Sequence, residues 1–156
     1  MGKHPRWTRR FLSDEDFDAI IRAIVAAEAE TSGEIRVHLE RRVPRHRGDK
    51  RGDVSRRAHE VFGHLGMHRT PQRHGVLIYL ALEDRRLAIV GDEGIHGRVG
   101  DLYWARVRDL MMEKLRAGAA RDALLAAIGE VGRALTEHFP RRPGDVNELS
   151  NQVSVK

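Results

Sequence analysis

The chain contains no cysteine, which excludes disulfides, thiolate zinc sites, iron–sulfur clusters and cysteine nucleophiles together. It also has no long apolar run. The longest, Gly75 to Leu82, is the length of a strand and far short of the ~20 residues that cross a bilayer as a helix. The N-terminal stretch MGKHPRWTRRFLSDEDF is basic and lacks the apolar segment of roughly 7 to 15 residues that a secretory leader needs. A cytoplasmic setting without membrane contact is therefore expected. No phosphate-cradling glycine loop and no paired-histidine motif of a metallohydrolase occurs either.

What the chain has in excess is arginine, 24 against 4 lysines, within a net charge of +5. Residues 36–57 carry nine Arg or Lys against Glu40, Asp49 and Asp53. Such a stretch attracts phosphates, and Arg45, Arg47 and Arg51 would lead a weak, nonspecific nucleic-acid contact. From Arg41 to Arg57, however, there is no aromatic residue, so the stacking platforms of single-strand binders are missing. A mobile, solvated loop over residues 41–52 is the better expectation, and nucleic acid is not the expected partner.

At 156 residues the chain has the size of one domain. Ser13 followed by Asp14, Glu15 and Asp16 has the form of a helix N-cap with acid in the first turn. Phe17, Ile20, Ile21, Ile24 and Val25 then form one apolar stripe. In Glu34 to Glu40, Ile35, Val37 and Leu39 alternate with Glu34, Arg36, His38 and Glu40, a period of two that marks a strand at or near a sheet edge, with His38 exposed or covered by a helix. Asp53 caps a second helix whose inward positions are Val54, Ala58, Val61, Phe62 and Leu65. The run Gly75 to Leu82 suits a central strand covered on both faces. A turn at Glu83-Asp84 returns the chain as an antiparallel strand, Arg85 to Val90. Two amphipathic helices follow, over 101–116 and 119–138, and the glycines at 129 and 132 in the second are assigned to close packing.

The expected fold is α/β: a three-layer α/β/α sandwich with a small mixed sheet, in the order α-β-α-β-β-α-α. A basic arm (1–12) precedes the domain (13–140), and a polar, loosely attached tail (141–156) follows it.

Several segments resemble the TPM domain family, whose domain is shared by thylakoid lumen phosphatase-like proteins, photosystem II repair proteins and a modulator of acetylcholine receptors. They are EAETSGEIRVHL (28–39), LGMHRT, HGVLIYLAL (74–82), the acid-arginine hairpin from Glu83 to Gly91, and the ending FPRRPGDVNELS. A soluble bacterial subgroup is the nearest in pattern. The resemblance implies a divalent cation, Ca²⁺ or Mg²⁺, at Asp92, Glu93 and Asp101, hard oxygen ligands of the kind such ions take, although no cofactor is required by the pattern itself. It also raises a metal-dependent phosphomonoesterase, with Arg85 or Arg98 as the clamp on the developing charge. Against that reading, the residues of a catalytic apparatus are not assembled in the sequence. Among the nine histidines, His64 and His68 are four apart but separated by Gly66, and His59 and His64 are five apart, so neither pair presents two ligands on one helix face. The leading expectation is a non-catalytic interaction or regulatory module with an unidentified protein partner.

Overall fold

The computed structural model describes residues 4–142 and 153–156. Ser13 caps helix α1 (Asp14–Glu28) by accepting from the Asp16 backbone N–H at 3.0 Å, while Asp16 returns a bond to the Ser13 N–H at 2.9 Å. This reciprocal box satisfies two donors that a helix start leaves unpaired. Strand β1 (Glu34–Glu40) follows, then α2 (Val54–His64), β2 (Gly75–Ala81), β3 (Arg86–Gly91), α3 (Glu93–Arg116), α4 (Ala120–His138) and a short β4 (Ser154–Val155).

The sheet order is β3-β2-β1-β4, with β1 parallel to both β2 and β4, and β2 antiparallel to β3. Every residue of β2 is buried, because helices cover both of its faces. Ile35, Val37, Leu39, Val76, Ile78 and Leu80 pack in one core with α1, α3 and α4. Leu77, Tyr79 and Ala81 face the other way, with Ala88 and Val90, into a smaller core closed by Ala58, Val61 and Phe62 of α2. The architecture is the expected mixed-sheet sandwich.

Four features differ from the sequence reading. The first is α3, which starts at Glu93 rather than near residue 101. Its two segments are joined across a kink at Gly100 (φ 77°, ψ 173°), a conformation that favours glycine. The Asp92-Glu93 bend is thus a helix start rather than an open loop. Second, Leu12 is buried and Trp7 and Phe11 pack on the main core, so residues 7–12 of the basic arm join the domain. Third, the end of the tail is not loose: Val153 is buried and β4 pairs with His38 and Leu39. Residues 143–152 of the tail, and with them most of the ending FPRRPGDVNELS, lie outside the described residues. Fourth, Val25 is 47% exposed, leaving Phe17, Ile20 and Ile24 as the buried stripe of α1.

Candidate functional site at the carboxyl edge of the sheet

Because β1 and β2 are parallel, their carboxyl ends share one edge, where Glu40, Ala81 and Arg86 stand side by side in register. In open α/β sheets that edge is where ligands gather. Here the β1–α2 segment (41–53) folds against the β2–β3 turn. The loop expected to be mobile is pinned: the buried Val43 donates its N–H to Asp84 Oδ2 at 2.8 Å. Arg41 and Arg42 both pair with Glu83, and His46 and Asp49 reach back to Glu60 (3.1 Å) and Arg56 (2.7 Å) of α2. Arg86 closes the base by donating to the Gly52 carbonyl at 2.6 Å.

Between loop and turn lies a recess of about 380 Å³ lined by Arg42, Arg45, Lys50, Arg51 and Arg86, with Glu83 and Asp84 on its wall. Five cations against two carboxylates leave a net charge of +3. Its lining includes no hydroxyl, imidazole or aromatic ring. This arrangement can hold and orient an anion, since Arg forks match oxyanions in pairs.

Behind the recess the buried carboxylate of Glu40 accepts from Arg57 Nε (2.6 Å) and NH2 (3.0 Å) and from the Tyr79 hydroxyl (2.8 Å). The hydrogen bond to Glu40 holds Arg57 firmly protonated, and burial pushes the Tyr79 phenol well above its usual range. Next along β1, His38 is 6% exposed and its Nδ1 contacts Ser154 Oγ at 2.7 Å, while its Nε2 has no hydrogen-bond partner among the described residues. Of the two expected alternatives, exposure is excluded: it lies buried beside β4, on the strand face it shares with Tyr79 and Glu40. Burial depresses its pKa to about 4, outweighing the opposing pull of Glu40. The sequence reading did not single out Glu40, Arg57 and Tyr79. The available signal was a cation at position 57, between Val54 and Val61 on the inward stripe of α2, with an acid at the end of β1 to meet it.

The acidic bend sits at the opposite edge. Asp92 donates its N–H to the Gly75 carbonyl, at the start of β2. Its carboxylate is 5% exposed and already engaged, one oxygen by Arg73 Nε at 2.8 Å and the other by the Glu93 N–H at 2.8 Å, which caps α3. Glu93 is exposed, and the Asp101 side chain is 95% exposed, with His96 Nε2 3.5 Å from its Oδ1. Among the described residues no three His, Asp or Glu side chains are grouped to hold a metal ion. The candidate clamps are also separated: Arg85 precedes β3 and Asp92 follows it, a strand of roughly 20 Å apart, while Arg98 lies over the Phe139 ring. His64 ends α2 and His68 lies in a separate turn (Met67–Arg69) beyond the left-handed Gly66.

The model of the TPM domain family matches residues 8–134, most of the chain. The chain belongs to the TPM domain family. Its structure is similar to that of the BA42 protein from the psychrophilic bacterium Bizionia argentinensis, with 40% identity, a TM-score of 0.81, and 94% of this chain and 96% of that one covered. Two further structures share the TPM fold at lower identity. One is the N-terminal domain of a P. gingivalis protein (18%, TM-score 0.66, 85% and 83% covered). The other is the N-terminal domain of cg2496 from Corynebacterium glutamicum (16%, TM-score 0.59, 86% of each). A comparison with functionally curated proteins finds no match. No helix among the described residues of this TPM domain is long and apolar enough to cross a membrane.

Proposed function

We propose that this TPM domain is a non-catalytic interaction module that binds a protein partner at the carboxyl edge of its sheet. The observation that supports the reading is the walled basic recess formed by the 41–53 segment and the 82–85 turn, in which cationic side chains cluster and no hydroxyl or imidazole is present. Buried carboxylates at both edges are neutralised internally, Glu40 by Arg57 behind the recess and Asp92 by Arg73 at the opposite edge, and we read these pairs as bracing the fold. A divalent cation at Asp92, Glu93 and Asp101 would have to displace the Arg73 pair and draw in two exposed side chains. The phosphomonoesterase alternative depends on that ion.

Photo-crosslinking in the native cell tests the reading, with the reactive side chain placed at Lys50, at Glu93 or at Val25. Adducts are expected at position 50 and not at 93. Adducts confined to 93 or 25 would contradict it. So would hydrolysis of p-nitrophenyl phosphate that depends on Ca²⁺ or Mg²⁺ and is lost in Asp92→Asn.

A further inference from the structure

Resting on the carboxyl edge as the binding site, we infer that its partner is an extended, acidic segment of another protein, with neighbouring Asp or Glu side chains that enter the recess and are held by Lys50, Arg51 and Arg86. Free charge is the first reason. Glu83 is occupied by Arg41 and Arg42, and Asp84 accepts the Val43 N–H. Among the described residues Lys50 and Arg51 have no ion-pair partner, and Arg86 spends one terminal nitrogen on the Gly52 carbonyl. Three cations thus converge on one hollow with donors to spare, where two carboxylates of a guest can be neutralised together.

The mixed sign of the wall is the second reason, and it separates a polypeptide from a nucleic acid. Glu83 and Asp84 retain acceptor lone pairs that suit the main-chain N–H groups of an extended peptide, since each ionised carboxylate has about four such positions. A phosphodiester chain has no N–H to give them and meets them as repulsion. The lining has no aromatic ring to act as a stacking platform for bases, and a duplex is read by elements that protrude into its grooves, whereas this site is concave. Its volume of about 380 Å³ is within the size range of a well-formed ligand pocket, roughly 300 to 1,000 Å³.

Pre-organisation is the third. A Cβ at Gly52 would come within 2.5 Å of Val43 Cγ1 and 2.6 Å of the Pro44 carbonyl, so the two ends of the 43–52 loop are pressed together at a point only glycine fits. With Arg86 bonded to that same glycine, Arg86 and the backbone that carries Lys50 and Arg51 are set before a guest arrives, which lowers the ordering cost of binding.

Fluorescence anisotropy with three labelled probes tests this: an octapeptide alternating Glu and Ala, its Gln counterpart, and a single-stranded oligothymidylate. The Glu peptide is expected to bind, at least tenfold more tightly than the Gln peptide and the oligonucleotide, and to weaken steeply with added salt. The double variant Lys50→Glu/Arg51→Glu changes two exposed side chains and should keep the native circular dichroism while losing at least tenfold in affinity. Tighter binding of the oligonucleotide, or equal binding of the Glu peptide to the double variant, would overturn the inference. If crosslinks in the cell map to position 50 but the Glu peptide does not bind, the acidic partner fails and the binding edge stands. If they map elsewhere, both fail.

Discussion

At the scale of single residues, the Glu40 carboxylate is a charge buried in the interior. It is tolerated in the interior because Arg57 meets it with two nitrogens and Tyr79 with a hydroxyl. Removing one member of such a pair strands the other charge, which costs about 3–5 kcal/mol, whereas replacing both with apolar groups is often nearly neutral. Arg57→Ala should therefore lower unfolding free energy in urea by about that amount, and Glu40→Leu/Arg57→Met should recover most of it. A loss below about 1 kcal/mol in the single variant would mean that Glu40 is not held as described. His38 gives a second expectation. As pH falls below the ordinary imidazole value of about 6.5, the unfolded chain takes up a proton that the folded chain refuses until about 4. Stability is thus unaffected above pH 6.5 and declines between 6.5 and 4, by roughly 3 kcal/mol from this residue. The pH dependence of the urea midpoint should flatten by about that amount in His38→Gln; an unchanged slope would show that His38 takes its proton normally.

At the scale of elements, the two glycines of α4 separate two physical causes that the sequence presents alike. A Cβ at Gly132 would stand 3.0 Å from the Ala27 Cβ of α1, so this glycine permits the helices to approach; at Gly129 nothing lies within 4 Å. That open space belongs to an apolar hollow of about 720 Å³ between α1 and α4. Gly129→Ala is accordingly expected to stabilise the protein by about 0.5–1 kcal/mol through helix propensity, and Gly132→Ala to gain nothing or lose stability, read as shifts in thermal midpoint. The reverse order would contradict the packing. Helices and strands were legible where periodicity was strong: α1 from its cap and stripe, β1 from alternation, β2 from its continuous apolar run. The start of α3 was not, because Gly94, Gly97 and Gly100 read as loop although two of them lie within a helical segment. Nor was β4, since two valines in a polar tail have no period and are recruited only by the open side of β1. The basic loop looked solvated because its anchors, Asp84, Glu60 and Gly52, are side chains and carbonyls distant in sequence or without pattern.

At the scale of the whole molecule, the sheet separates two charged edges. The acidic bend attracts notice in the sequence because its carboxylates are adjacent, yet folding ties Asp92 to Arg73 and leaves Glu93 and Asp101 apart in solvent. The opposite edge is dispersed in sequence over 42–52 and 83–86, and only the parallel pairing of β1 with β2 brings it together. Function was for that reason the least legible level: family membership shows in segments such as HGVLIYLAL, but the recess is a product of topology. Nitrogen-15 amide shifts of the intact protein during titration with the alternating Glu–Ala octapeptide test the central claim most directly. The largest changes are predicted at residues 42–52 and 83–86, with 91–101 silent; changes centred on 91–101, or spread along the α1–α4 hollow, would contradict it.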